Sequence, residues 1–174
     1  DIQYAKEKGR KIKLVAKLTK LNATNFTLYV MPRLVTTNEY IYNVEEEYNG
    51  VVIEGAFYEK QFMFGKGAGG FPTGSAVLSD ITARFHDYRY EYKKQKYFEP
   101  PQFTNEVLVE IYLRYQSLVD LCLFEFEEIS EKYSSRQQSW IVGTIKLAHL
   151  QKLQELLPRL DVFLATTGKT EYLK

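Results

Sequence analysis

The residues with the clearest chemical potential lie in one run, Gly65-Lys66-Gly67-Ala68-Gly69-Gly70-Phe71-Pro72. Four of the chain's ten glycines fall between Gly65 and Gly70, so the backbone there can turn sharply and approach a ligand with no Cβ in the way. A helix is expected to follow over Thr73–Phe85. Pro72 suits its first turn, and Val77, Leu78, Ile81 and Phe85 form one apolar stripe. Backbone N–H groups at such a helix start favour an anion, for example a phosphate. Gly65, Gly67 and Gly70 formally satisfy G-x-G-x-x-G. That dinucleotide motif needs an early βαβ unit and an acidic residue about 20 positions on, at the end of the next strand. Here the helix leads into a charged connector with no second strand, and no Gly-Lys-Ser/Thr closes the run as a P-loop would. Two readings stand at this point: a backbone cradle for an anionic ligand, and a tight strand-to-helix turn with none.

Other candidate residues carry less. His86 and His149 lie about 60 positions apart with no second ligand at metal spacing, so they read as solvated or capping side chains and no metal site is expected. Cys122 sits in Leu121-Cys122-Leu123-Phe124 with no basic neighbour to lower its pKa, and reads as a buried core thiol. Glu45-Glu46-Glu47 reads as a solvated face. The segment 84–99 interleaves Tyr88, Tyr90, Tyr92 and Tyr97 with Arg84, Arg89, Lys93, Lys94 and Lys96, a pattern that could stack on bases. Asp87, Glu91 and Glu99 dilute its charge, and nucleic acid is not expected as a partner.

Composition sets the frame for these residues. The chain has 174 residues, 45% hydrophobic and 26% charged, which is globular composition and enough to bury a core. A net charge of +1 gives no electrostatic case for nucleic acid or an anionic membrane. No apolar run reaches the roughly 20 residues that span a bilayer. The lone Cys122 excludes an internal disulfide and makes a reducing, cytoplasmic setting the expectation. The chain opens on Asp1 with no signal-peptide pattern, as a piece of something longer would.

The elements expected to position the glycine run are mostly strands. Asp1–Lys8 reads as the end of a helix stopped by Gly9, and Lys11–Leu18 as a strand with one wet face. Asn22-Ala23-Thr24-Asn25 is turn chemistry, and Phe26–Met31 reads as a strand ending before Pro32. Val51–Gly55 and Glu59–Phe64 read as a β-pair. Beyond Pro100-Pro101, Glu106–Tyr115 reads as a strand, Leu118–Tyr133 as an amphipathic helix and Ser139–Ile145 as a strand. Lys146–Leu157 then reads as a helix and Asp161–Thr166 as a strand. The expected fold class is α+β: a sheet-rich part followed by a small βαβαβ sandwich.

The run Phe64 to Ile81 (FGKGAGGFPTGSAVLSDI) closely resembles the late signature of homoserine dehydrogenases, in which a strand, a G-x-G-A-G-G-x-P-T turn and an A-S-A-V-x-x-D-I helix occur together. Upstream, Asp1–Gly9 followed by Ile12-Lys13-Leu14 is similar to the helix and strand after that family's catalytic segment. Met31-Pro32-Arg33-Leu34-Val35 is similar to its H-P-x-L-V, with Met31 in place of His, and Asn49–Gly55 resembles its strand ending in V-E-G. Val109–Tyr115 resembles the opening strand of the ACT domain that many members carry. The resemblance implies that residues 1–99 are the C-terminal part of the catalytic (substrate-binding and dimerisation) domain with a connector, and that 100–174 are an ACT-like domain.

The same resemblance implies an NAD(P)-dependent oxidoreductase as the parent, interconverting L-homoserine and L-aspartate 4-semialdehyde. The family's Rossmann fingerprint and its catalytic Lys and acidic residues precede Asp1. No catalytic residue is therefore assigned, and the fragment alone is expected to be inactive and to hold no cofactor. By carry-over, Gly67, Ala68, Gly69 and Gly70 line the cofactor side, with Thr73 at the helix start. The implied partners are an upstream nucleotide-binding domain and a second copy in a homodimer. The ACT effector loop would be Gln116-Ser117-Leu118-Val119-Asp120, which has no glycine, so pairing is the plainer role for that tail. The alternative from another class is a non-catalytic regulatory or oligomerisation module.

Overall fold

In the computed structural model, residues 1–89 and 99–172 are described. The chain divides into two compact units: Asp1–Thr36 with Pro100–Lys174, and Thr37–Glu99. Compactness thus groups the first 36 residues with the C-terminal part, whereas the sequence-based division runs 1–99 and 100–174. The base-stacking candidates Tyr90, Tyr92, Lys93, Lys94, Lys96 and Tyr97 lie outside the described residues.

The first unit is one sheet with helices on both faces. Helix α1 (Ile2–Glu7) ends at Gly9, whose φ of +63° is the left-handed value glycine adopts without strain. Strands β1 (Arg10–Lys20) and β2 (Asn25–Thr36) form an antiparallel hairpin in continuous register from Arg10↔Thr36 to Lys20↔Phe26. Its turn is held by Asn22, whose Oδ1 accepts from the N–H groups of Thr24 and Asn25. The expectation that this strand stops before Pro32 is corrected. A proline removes a single donor, and the pairing continues through it at Leu14↔Pro32. The remaining strands of the unit are β5 (Gln102–Phe103), β6 (Val107–Tyr115), β7 (Phe126–Ser134), β8 (Ser139–Lys146) and β9 (Val162–Tyr172). The sheet order is β1-β2-β9-β6-β8-β7, with β5 paired to the start of β2.

The βαβαβ expectation needs one further correction. The helix expected over Leu118–Tyr133 is only one turn, α3 (Leu118–Leu121), started by Ser117, whose side chain accepts from the N–H of Val119. Phe126–Ser134 is instead the strand β7, so the order is βαββαβ, with α4 (Leu147–Leu153) as the second helix. Two register shifts in the β7–β8 pairing, between Phe126 and Glu128 and between Ile129 and Glu131, explain the misreading. Each bulge adds a residue, so Phe126, Ile129 and Tyr133 fall at spacings of three and four and imitate a helical stripe. Gly143 on β8 permits the bulge: a Cβ there would meet the Glu128 carbonyl oxygen at 2.5 Å. The helix expected over Lys146–Leu157 is likewise shortened to α4, followed by a 3-10 turn at Leu157–Arg159.

Strand β6 is the centre of this sheet and is covered on both sides. Val109, Ile111 and Leu113 pack with Tyr29, Ile145 and the leucines of α4. Tyr112 points the other way, as strand alternation requires, and packs with Tyr4, Ala5, Leu34 and Trp140. Tyr4 stacks on Tyr112 with ring centres 4.2 Å apart. An ion pair between Lys8 and Glu131 at 2.9 Å also ties α1 to the sheet.

The second unit contains the β3–β4 hairpin (Tyr48–Gly55 and Glu59–Lys66) and α2 (Gly70–Phe85). The hairpin matches the expected β-pair, with its bend after Gly55. Aromatic stacking stiffens it: Tyr48 lies on Phe64 with centres 4.7 Å apart and planes at 7°, and Tyr40 on Phe62 at 5.4 Å. Helix α2 begins three residues earlier than expected, inside the glycine run, and none of its residues is buried.

Candidate functional site

The glycine run joins β4 directly to α2. Its four backbone positions are glycine-tolerant for different physical reasons. At Gly67 the constraint is space: a Cβ there would collide with the side-chain amide of Asn49 on β3. At Gly69 it is conformation. Its φ is +109°, a region L side chains avoid, while the nearest atom to an added Cβ is a Pro72 carbon at an ordinary 3.7 Å. At Gly65 and Gly70 neither applies, and a Cβ would point into open space.

The base of the turn is clamped by Glu47, the residue before β3. The N–H of Gly67 donates to the Glu47 carbonyl oxygen at 3.4 Å, and Lys66 Nζ reaches the Glu47 carboxylate at 2.6 Å while lying 5.2 Å from the Tyr48 ring centre. The hydrogen bond from Lys66 holds the Glu47 carboxyl below the usual carboxylate range. Glu45, Glu46 and Glu47 are all exposed, in keeping with the solvated-face reading, and Glu47 is in addition paired. The contribution of Asn49 and Glu47 was not visible in sequence spacing, since it arises from the antiparallel register that sets Asn49 opposite Gly65.

Above the clamp, α2 starts at Gly70 with Gly69 as its cap, no side-chain cap bond and no acidic residue in the first turn. Pro72 has no N–H, so Gly70 and Phe71 carry the forward-facing donors that the helix leaves unsatisfied. Thr73 does not open the helix as expected. It is the fourth residue, and its N–H closes the first turn on the Gly69 carbonyl oxygen at 3.1 Å. Gly67, Ala68, Gly69 and Gly70 are therefore one contiguous exposed surface, with Thr73 a turn behind. A backbone with no Cβ, free donors and the positive end of a 16-residue helix suits an anionic or polar ligand surface.

The remaining candidates lie elsewhere. His149 is a capping residue: its Nε2 is 2.8 Å from the Leu123 carbonyl oxygen and 3.4 Å from the N–H of Glu125. Cys122 is exposed, not buried, because α3 ends before it and Phe124 fills the core in its place. Among the described residues no three His, Cys, Asp or Glu side chains gather as a metal site, and no helix is long and apolar enough to cross a membrane.

The chain is similar in sequence and in fold to known proteins. Residues 1–82 match the family model for homoserine dehydrogenase. The homoserine dehydrogenase of Neisseria gonorrhoeae is 36% identical over 81 residues, 47% of this chain and 18% of that protein. The Synechocystis enzyme is 38% identical over 85 residues, 47% of this chain and 19% of that protein. Over residues 1–82 the chain matches homoserine dehydrogenases. The likeness in fold extends further. The crystal structure of the Thiobacillus denitrificans homoserine dehydrogenase superposes with a TM-score of 0.60 at 22% identity, covering 98% of this chain and 43% of that one. A structure of the S. aureus enzyme superposes with a TM-score of 0.52 at 24% identity, covering 100% of this chain and 44% of that one. The chain thus spans less than half the length of the homoserine dehydrogenases it resembles.

Proposed function

We propose that this chain is the C-terminal part of an NAD(P)-dependent homoserine dehydrogenase, interconverting L-homoserine and L-aspartate 4-semialdehyde in threonine, methionine and isoleucine biosynthesis. The observation that carries this reading is the family match over residues 1–82, which contains the whole glycine turn. In it, residues 1–99 complete the catalytic and dimerisation domain and 100–174 form an ACT-like domain. The βαββαβ order of the latter, with strands β7-β8-β6-β9 side by side, supports that assignment, since a ferredoxin-like split βαβ unit has this order. The nucleotide-binding domain and the proton-transferring side chains are assigned to the upstream part of the parent, the protein to the cytoplasm, and a second copy to the partner. The fragment alone is assigned no dehydrogenase activity.

The role assigned to Gly67, Ala68, Gly69, Gly70 and Thr73 is to bind and orient the cofactor. A bound nicotinamide cofactor supplies the hydride acceptor or donor. The chain contributes a Cβ-free surface for close approach and the first-turn N–H groups of α2 for its polar oxygens.

The test uses the full-length enzyme that contains this segment. Gly70→Val adds a branched side chain where the chain itself offers no clash and no positive φ. The expected result is a KM for NAD(P)H raised at least tenfold, about 1.4 kcal/mol if KM tracks binding, with the homoserine KM at saturating cofactor changed far less. Gly69→Val is expected to do the same, but its φ of +109° adds strain to the loss of ligand. If Gly70→Val folds normally and leaves the cofactor KM unchanged, the turn is structural and the assignment fails.

A further inference from the structure

The sheet of the first unit is joined at its β2–β9 seam by a single ladder position. Strands β2 and β9 pair at Arg33↔Thr166 and nowhere else, and β5 pairs with β2 only at Asn25 and Phe26. Strands β2 and β9 are also joined by a hydrogen bond between the Tyr29 and Thr170 hydroxyls at 2.9 Å, and an open groove of about 560 Å³ lies beside β2 and the start of β9. Its walls are β2, the start of β9, Phe103 of β5, and the face of α4 that carries Leu150 and Gln151. The size falls within the range of small-molecule sites, roughly 300–1,000 Å³.

The chemistry of the lining is one-sided. No residue that lines the cavity is charged. Its side-chain amides are Asn105, Gln151 and Gln154, and Asn105 Nδ2 donates to Gln151 Oε1 at 2.6 Å. That bond uses one donor of Asn105 and leaves the Asn105 carbonyl and the Gln151 amino group able to meet a ligand. A carboxylate, phosphate or ammonium bound here would give up part of its hydration with no opposite charge among the lining residues to replace it. A free amino acid, which carries two charges, fits this cavity poorly. A neutral molecule with an apolar body and one or two hydrogen-bonding groups fits it well.

We propose that the groove bordered by β2, the start of β9, Phe103 and α4 is a binding site for neutral, mainly apolar small molecules, oriented by the Asn105–Gln151 amide pair. The site is separate from the glycine turn and does not depend on the function assigned to that turn. It lies between an N-terminal hairpin and the βαββαβ unit, so an occupant fills the seam where those two parts share one sheet.

The neutral fluorophore N-phenyl-1-naphthylamine tests this on the 174-residue chain, with its sulfonated analogue ANS as the charged comparison. The expected result is one saturable site per chain, with the neutral dye bound at least tenfold more tightly than ANS. Gln154→Trp places an indole at the exposed rim without touching the core, and is expected to weaken the neutral dye at least tenfold with circular dichroism unchanged. Asn105→Leu is expected to keep the dye but abolish the preference among neutral ligands that differ by one carbonyl. Ile129→Ser on β7 and Leu78→Ser on α2, exposed apolar residues outside the lining, are expected to leave the affinity unchanged. Three outcomes overturn the proposal: equal binding of the two dyes, no effect of Gln154→Trp, or loss of binding in either serine variant. Dye affinity that falls with rising protein concentration assigns the cavity to a second copy of the chain, and overturns it as well.

Discussion

At the scale of single residues, the glycines of the turn separate into positions held by space, by conformation and by neither. Gly67 is held by space. Gly67→Ala in the full-length enzyme is expected to cost about 0.5–1 kcal/mol of stability, because its Cβ displaces the exposed side-chain amide of Asn49. Asn49→Ala in the same protein is expected to recover most of that loss, read as urea midpoints of the single and double variants. Additive effects would show that Asn49 does not set the turn. A second residue-scale case is Glu110, whose side chain is only 14% exposed. Burial alone would raise its pKa, but hydrogen bonds from Thr167 at 2.7 Å and Lys169 at 2.9 Å outweigh this, and the net direction is downward. A carboxyl with a depressed folded pKa contributes stability that is fully present above its unfolded pKa, about 4.3, and is lost as pH falls through the folded value. Thr167→Val is therefore expected to lower the urea midpoint most at neutral pH, with the gap to the parent chain narrowing below about pH 4. A gap that is constant with pH would remove Glu110 from the explanation.

At the scale of elements, α2 stands out because it has an apolar stripe and buries none of it. Val77, Leu78, Ile81 and Phe85 are 53%, 65%, 56% and 88% exposed. Helices gain most of their stability from packing such a stripe, so within this chain α2 depends on propensity. The small residues Gly74, Ser75, Ala76 and Ser79 look suited to close approach by another backbone, yet a Cβ added at Gly74 meets nothing within 4 Å. Gly74→Ala is therefore expected to stabilise α2 by up to about 1 kcal/mol, the intrinsic gain of alanine over glycine, seen as greater helical circular dichroism in the 174-residue chain. A loss of helicity would mean that the helix is already packed closely in solution.

At the scale of the molecule, the large apolar side chains left exposed suggest association. The stripe of α2 (Val77, Leu78, Ile81 and Phe85) is exposed, and among the described residues β1 and β7 are open edges of the sheet. Open edges and contiguous apolar area favour pairing. Light scattering of the 174-residue chain is expected to give a mass above that of a monomer, and a clean monomer mass at high concentration would count decisively against this.

The sequence alone determined what local patterning and local chemistry control. Gly9 stopped α1, Asn22 made its turn, and the strands β1, β3, β4, β6 and β8 followed from alternation. The glycine turn was recognisable as a cluster of glycines, of which Gly67 and Gly69 answer to space and to a positive φ, and its family resemblance rested on the same run. Tertiary structure decided what depends on partners distant in the chain. β7 was hidden because two bulges against β8 convert a period of two into spacings of three and four. β2 ran through Pro32 because β1 supplied a full antiparallel partner. The grouping of Asp1–Thr36 with the C-terminal part came from the β2–β9 contact, and Asn49 came to lie against Gly67 through the register of β3 on β4. Each of these is a pairing between residues far apart in sequence, and a pairing leaves no periodic trace in either strand alone.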